Sequence, residues 1–528
     1  MTILLLSMPD SFEHTPTLTM RMPNGALGSL AGNLDDGHRV AIADLVLVQD
    51  AVGPTVDRLV DELQPDLVGL SVMTFQRRTA GRIIRRIRAR RPGVRIIVGG
   101  YDPSLAAEAY EADDMGVDFI VRGEGEVTLR ELVRALDTRE PDIIARLGAI
   151  PGLSFRGEGG WVRNVSRPAH VLAHDELRLP NRRARVLAGY TICGRPVDVV
   201  ETSRGCTYDC SFCSIIEMRG RNFHSFGLDR VIADIADAHA NGARAIFFVD
   251  DNITLDVRRF EALCRAIVDA GLNDIDYLVQ GMTSAIAAHG QTLAPLMRRA
   301  GFRYVFLGIE NVLEGDLAFL KASAKNASRR EGRTVGNASV DAIRHLHAHG
   351  MFVVGGLIVG NPSDTREAIE TNLAFAHAYV DWPYIQHPTP YPGTPMTADF
   401  VRRGLIVNDR LEEYDGTTAV VRSEHLDADD IEALRWRAER PIKARHFFVV
   451  VRHDPWFAVR HGIRMFRHLF RGTSLRWWLG LEDDRRALAR FREIRRRERE
   501  FLDDVAPAAI ASSPRHRHTT AGMRELSA

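Results

Sequence analysis

Over its first 140 or so positions this 528-residue chain alternates short apolar runs with stretches of helical periodicity. The runs are Thr2 to Leu6, Val40 to Leu47, Leu67 to Met73, Val94 to Gly100 and Asp118 to Glu126. Between them, TVDRLVDELQ and RTAGRIIRRIRARR repeat their apolar positions every three or four residues, so each predicts a helix with one core-facing side. Strands that each lead into a helix predict an open, doubly wound α/β sheet over 1–140, with its ligand crevice at the strand carboxyl ends.

The rhythm restarts near Val197. Strands are expected from there and at Ala245 to Asn252, Asp276 to Ser284, Tyr304 to Asn311, Phe352 to Pro362 and Tyr384 to Pro395. Helical stretches such as LDRVIADIADAHANG and DVRRFEALCRAIVDAG fill the gaps and stop at glycines, as helix ends do. These strand–helix units over 197–400 predict a partial (β/α)6 barrel, whose chemistry belongs at the carboxyl ends of its strands. Residues 141–196 read as an irregular connector, 401–503 as a mainly α-helical subdomain, and 504–528 as a disordered tail.

Lys plus Arg and Asp plus Glu number 69 each, so no overall charge points to a nucleic-acid partner. The apolar start lacks a basic leader and falls short of the ~20 residues of a membrane span, so a cytoplasmic protein is expected. The chain has five cysteines, and three of them fall within GCTYDCSFC, residues 205–213. That clustering favours a metal or redox site over a disulfide framework.

Cys206, Cys210 and Cys213 follow the first barrel strand with spacing C-x3-C-x2-C. Iron–sulfur clusters are held by thiolates, usually four, so three would leave one iron open. A zinc site completed by His224 would use the same thiols, and spacing alone leaves both open. A zinc-bearing ligand-binding or regulatory protein without radical chemistry is therefore the alternative from a different class. Cys264 is expected to pack inside a helix, and Cys193, near the barrel entrance, is a candidate resolving or substrate-facing thiol.

With Phe212 just before the last cysteine, this motif resembles the radical SAM superfamily, and the resemblance extends from Val197 to about Thr397. It implies that the three cysteines hold a [4Fe-4S] cluster whose open iron binds S-adenosylmethionine, which is cleaved to a 5'-deoxyadenosyl radical. It also implies adenosylmethionine contacts at Phe212, Asp250, Asp251, Asn252, Gly308, Glu310, Gly356 and Gly360. The alternative for Gly308 or Gly356 is a packing glycine, and for Asp250 a helix cap.

In the first domain, PDLVGLSVMTF, VGGYDPS and DFIVRGEGEVTLREL resemble the cobalamin-binding domain fused to many radical SAM enzymes. That resemblance implies a corrin crevice lined by Ser71, Met73, Thr74, Gly99, Gly100, Tyr101, Gly123, Glu124 and Gly125. An ordinary flavodoxin-like scaffold with tight turns would show the same glycines. The D-x-H-x-x-G motif of cobalamin domains is incomplete in DGHRVA (Asp36 to Ala41), so His38 reads as a surface or turn histidine, and the motif offers cobalt no ligand.

The resemblance implies a cobalamin-dependent radical SAM enzyme that methylates an unactivated carbon of a small molecule or lipid, with flavodoxin or ferredoxin as reductant. Its alternative within the superfamily is oxidative cyclisation without methylation, of the anaerobic magnesium-protoporphyrin ester cyclase kind. Tyr384, His387 and Tyr391, in or near HPTPYPGTPM, are candidates to face substrate. Trp456 to Leu481 mixes Arg and His with Trp and Phe. Its aromatics are expected to pack on the barrel with arginines outward, and peripheral membrane contact is the alternative.

Overall fold

The computed structural model describes residues 1–12, 19–138, 142–168, 177–330 and 333–502. The N-terminal strands form at Thr2–Ser7, Arg39–Asp44, Leu67–Ser71, Arg95–Gly99 and Phe119–Val121, all parallel. Thr2–Ser7 pairs with Arg39–Asp44 on one side and with Leu67–Ser71 on the other, so the winding direction changes there. Alternate residues feed two cores. Leu4 and Leu6 meet Leu59, Ile83 and Ile87 of helices Val52–Leu63 and Arg77–Arg90. Ile3 and Leu5 meet Leu27, Leu129 and Leu132 of helices Gly25–Gly32 and Glu126–Asp137.

Part of the expected irregular connector is instead ordered sheet. Leu153–Gly157 and Gly160–Arg163 form an antiparallel hairpin that extends the first sheet beyond Phe119–Val121. Buried Phe155 anchors it, and its two-residue turn between glycines suits a tight hairpin. The fifth expected strand, Asp118 to Glu126, is cut to Phe119–Val121, and Leu45 to Leu47 leave the second strand for a 3-10 turn.

The barrel strands are Arg195–Val200, Ala245–Phe248, Asp276–Met282, Phe302–Glu310, Phe352–Ile358 and Trp382–Gln386, parallel and adjacent in that order. Antiparallel Thr191–Ile192, then Met20–Arg21 from the start of the chain, widen the sheet at its first edge. Helices cover the outer face. Inside, Ala245, Leu278, Tyr304 and Phe352 near the strand starts pack with Val449 and Val450 of helix Ala428–His453. Asp454, just beyond that helix, pairs with Arg195 at 2.6 Å, and Arg303 donates to the His453 carbonyl at 3.0 Å. The C-terminal helices thus close the starting end of the barrel.

Helices Pro455–Leu469, Leu475–Trp478 and Asp484–Glu498 complete the described chain. Their aromatics do not all pack as expected. Phe457 is buried, and buried Trp477 lies 4.9 Å from Trp436, whereas Trp456 and Phe466 are exposed. The expected disordered tail, 504–528, lies outside the described residues. Among the described residues no helix is long and apolar enough to cross a membrane.

Candidate functional site

The two sheets present their strand carboxyl ends to each other. Arg204, just beyond the first barrel strand, donates to Glu126 at 2.6 Å and lies 3.7 Å from Glu124, both from the loop and helix after Phe119–Val121. Met73 and Phe75 of the first domain share an apolar cluster with Phe212, Tyr391, Met396 and Phe400 of the barrel. Tyr101, after Arg95–Gly99, is close enough to Asp251 and Cys213 to feel their charge. Its phenol is held protonated, by burial first and by Asp251 second.

The cysteine loop is tied down on every side. Buried Asp250 accepts from the Thr202 N–H at 2.8 Å, from Thr202 Oγ1 at 2.6 Å and from the Ser203 hydroxyl. Burial pushes its carboxyl up to about 7. Gly205 has φ +86°, and a Cβ there would meet the Asn222 carbonyl oxygen at 2.4 Å, so only glycine fits. Its N–H donates to Asp251 at 2.7 Å, and Arg219 approaches the same carboxylate at 3.2 Å. Asn252 Nδ2 lies 3.7 Å from Cys206 Sγ. Ser211 bonds through its N–H to the Leu320 carbonyl at 3.0 Å and through its hydroxyl to the Phe319 carbonyl at 3.0 Å. Phe212 packs beside it against Leu317, Leu320 and Ile358.

Burial pushes the Cys210 thiol up to about 12 and the Cys213 thiol up to about 11, and the neighbouring thiols add to both shifts. Thiolates crowded in so dry a place need a positive partner. Among the described residues no three His, Cys, Asp or Glu side chains converge on a single ion. His224 instead belongs to a short strand paired with Ser203–Arg204. Cys206, Cys210 and Cys213 share one fixed loop closely enough to feel each other's charge, and three such thiolates suit a multi-iron core with one open iron.

One functional candidate was missed. Lys325, only 17% exposed, pairs with Glu310 at 3.0 Å, and its charge reaches Cys210 and Cys213. It lies in the four-residue helix Ser323–Asn326, which no periodicity marks. Glu310 turns inward at a register shift against the next strand, with φ +59°. Gly308 lies beside its carboxylate.

The other expected contacts fall in two groups. Gly356 backs onto the Phe306 ring and is in register with Tyr384, which meets Phe306 edge-on at 5.5 Å. These three line the barrel interior. Gly360 backs onto Ile431, and its N–H donates to Asp364 at 2.7 Å. His387 is buried in the wall, with Nδ1 3.0 Å from the Val359 carbonyl, and the Tyr391 hydroxyl donates to the Tyr414 carbonyl at 3.2 Å. Asp250, Gly360, His387 and Tyr391 thus shape the site, while Phe306, Glu310, Lys325 and Tyr384 stand nearer its space.

In the first domain, Ser71 and Gly99 are neighbours at adjacent strand ends, with Met73, Thr74, Gly100 and Tyr101 just beyond. The Gly123 N–H donates to the Ser104 hydroxyl at 3.0 Å, Glu124 points to Arg204, and Gly125 precedes helix Glu126–Asp137. Nearer the switch point lies a polar set absent from the sequence reading. Ser7 donates to Asp44 at 2.6 Å, Tyr190 donates to it at 2.7 Å, and Asn24 reaches Ser71 at 3.4 Å. Ser7 and Asp44 could have been read from their strand ends, but Asn24 and Tyr190 arrive from distant sequence. His38 sits in the turn before Arg39–Asp44, 3.3 Å from the chain's amino group and at the other end of the sheet.

Cys264 is buried packing. Cys193 is at the starting end of the barrel, away from the cysteine loop, and burial pushes its thiol up to about 12.

Fold and site together define a radical SAM enzyme with a second, cofactor-binding sheet facing its cysteine loop. Residues 17–133 match the B12 binding domain and residues 200–376 match the radical SAM superfamily. It is 28% identical to an uncharacterized methyltransferase of Pyrococcus horikoshii, over 83% of this chain and 91% of that protein. It is 26% identical to an anaerobic magnesium-protoporphyrin IX monomethyl ester cyclase of Synechocystis, over 67% of each. In fold it resembles the radical S-adenosylmethionine methyltransferase TsrM of Kitasatospora setae, solved with cobalamin and a [4Fe-4S] cluster, with TM-score 0.61, 22% identity, and 77% and 79% of the two chains covered.

Proposed function

We propose that this chain holds a [4Fe-4S] cluster on Cys206, Cys210 and Cys213, binds S-adenosylmethionine and cobalamin, and methylates an unactivated carbon of a small molecule or lipid. The observation that carries this reading is the contact of Arg204 with Glu126, which sets the strand ends of the first domain against the segment that leads into the cysteine loop. When bound, the cluster supplies the electron that cleaves adenosylmethionine to a 5'-deoxyadenosyl radical, and cobalamin carries the methyl group.

The chain's own residues prepare that space. Asp250, Asp251 and Ser211 tie down the loop that carries the three thiols. Glu310 and Lys325 offer one charge of each sign beside the thiols, suited to the amino and carboxylate groups of a zwitterionic cosubstrate. Phe306, Gly356 and Tyr384 form an interior wall poor in titratable groups, and Tyr384 is held protonated by burial. Such a wall limits water beside a reactive intermediate.

The test is anaerobic reconstitution with iron, sulfide and cobalamin, followed by incubation with adenosylmethionine, reduced flavodoxin or ferredoxin, and candidate substrates. Gain of one methyl group with S-adenosylhomocysteine supports the proposal. 5'-Deoxyadenosine with an oxidised, unmethylated product supports the cyclase reading. Protein that binds zinc and takes up no iron refutes both.

A further inference from the structure

Helix Pro455–Leu469 turns an apolar stripe to solvent. Phe457 and Ala458 are buried, with His461 and Met465 half-buried beside them. Trp456, Val459, Ile463 and Phe466 are 84%, 78%, 75% and 60% exposed. At about 100° per residue they fall within an arc of roughly 80° on the side away from that buried face. Phe470 continues the stripe, its ring 4.2 Å from Phe466 and 5.0 Å from Trp478. Next to it, Leu475, Leu479 and Leu481 are exposed as well.

The charge around this stripe has one sign. From Pro455 to Leu481 the chain carries arginines at 460, 464, 467, 471 and 476 and no aspartate or glutamate. Arg460, Arg464 and Arg467 lie along one flank of the stripe, exposed, and none has a carboxylate partner among the described residues. Of the acids that follow, Glu482 is taken by Arg490 and Asp484 by Arg437, and exposed Asp483 lies beyond Leu481.

We propose that this face docks on the surface of an anionic lipid bilayer, with Trp456, Val459, Ile463 and Phe466 entering the headgroup region and the flanking arginines meeting lipid phosphates. The 15-residue helix is about 22 Å long, too short to span a hydrocarbon core of ~30 Å, so it lies in the surface. A second copy of the chain is a poorer occupant, because a two-fold contact would set the same unneutralised arginines against each other. Asp454 pins this helix through Arg195 to the starting edge of the barrel, the end opposite the cysteine loop. The inference stands independently of the reaction proposed above.

The test is co-sedimentation of the full chain with phosphatidylcholine vesicles, with and without phosphatidylglycerol. Binding is expected only with phosphatidylglycerol, weakening as salt rises. The triple variant Arg460→Glu, Arg464→Glu, Arg467→Glu should bind at least about tenfold more weakly. Trp456→Ser with Ile463→Ser should also reduce binding and abolish a vesicle-induced blue shift in tryptophan emission. All these positions are exposed, so unchanged thermal melting verifies folding. No binding to phosphatidylglycerol vesicles overturns the proposal, as does binding that the triple variant leaves intact. A wild-type dimer that the serine variant converts to monomer overturns it too, in favour of a second copy.

Discussion

Arg204 Nη2 sits 2.6 Å from Glu126 Oε1, so a residue two positions before the cysteine triplet is bonded to the first turn of a helix in the other domain. Both side chains are buried, and Arg204 also reaches Glu201 at 2.7 Å. Removing one member of a buried pair strands the other charge, at a cost of about 3–5 kcal/mol. Arg204→Met should therefore lower stability by roughly that amount in urea melts. The Glu126 carboxyl feels burial, which raises it, but the Arg204 charge and hydrogen bond and the Ser29 hydroxyl outweigh burial and hold it at about 2, below its ordinary 4.5. Its stabilisation is then full above pH ~4.5 and fades as pH falls toward ~2. The stability difference between wild type and Glu126→Gln should shrink across that window, and a constant difference would show that the pair does not hold the domains.

Cys206→Ala, Cys210→Ala and Cys213→Ala should each abolish retention of about four irons per chain and the broad absorbance near ~400 nm after reconstitution. Cys193→Ala and Cys264→Ala should keep the full iron content, because neither lies in the loop. Iron loss in the second pair, or iron kept in the first three, contradicts the assignment.

Lys325→Met leaves Glu310 buried beside the thiols without its partner and should cost about 3 kcal/mol in chemical denaturation. The double variant Lys325→Met, Glu310→Gln should recover most of that stability. Adenosylmethionine cleavage should stay low in both variants, since the role proposed for the pair belongs to its charges and not to its packing. Recovery of cleavage with stability would reduce the pair to a structural contact.

Gly205→Ala adds a Cβ at 2.4 Å from the Asn222 carbonyl oxygen on a backbone already at φ +86°. Gly123, at φ +75°, has nothing within 4 Å of the same position. Both alanines carry the left-handed cost of about 1 kcal/mol, but only Gly205→Ala has the clash and should lose iron on reconstitution. Equal iron retention would mean that the loop yields.

Asp250 is the reverse of Glu126 in sign. Burial raises its carboxyl to about 7, so its share of stability is full below pH ~4 and is lost as pH rises through ~7. Asp250→Asn should flatten that stretch of the stability–pH curve in melts between those limits. An unchanged slope would assign it to another group.

The strand plan was legible because strands covered on both faces write themselves as continuous apolar runs, such as TILLL at Thr2 to Leu6 and RIIVG at Arg95 to Gly99. The hairpin of Leu153–Gly157 and Gly160–Arg163 was not, because its outer strand is exposed and carries Gly160 and Arg163 where a core strand would carry apolar residues. The triplet was legible as a spacing. Lys325, Asn24 and Tyr190 were not, because each reaches its site from a segment whose local pattern gives no sign of its neighbours. The stripe from Trp456 to Phe466 was visible as composition, yet which side of the helix is covered depends on where Asp454 is pinned.

By itself the sequence determined the two sheets, their order along the chain and the three thiols, since periodicity and local spacing need only neighbouring residues. The tertiary structure alone decided that the two sets of strand ends face each other through Arg204 and Glu126, and that the thiols lie beside a buried Lys325–Glu310 pair. Those relations join residues dozens of positions apart, and only packing brings such residues within reach of each other's charge.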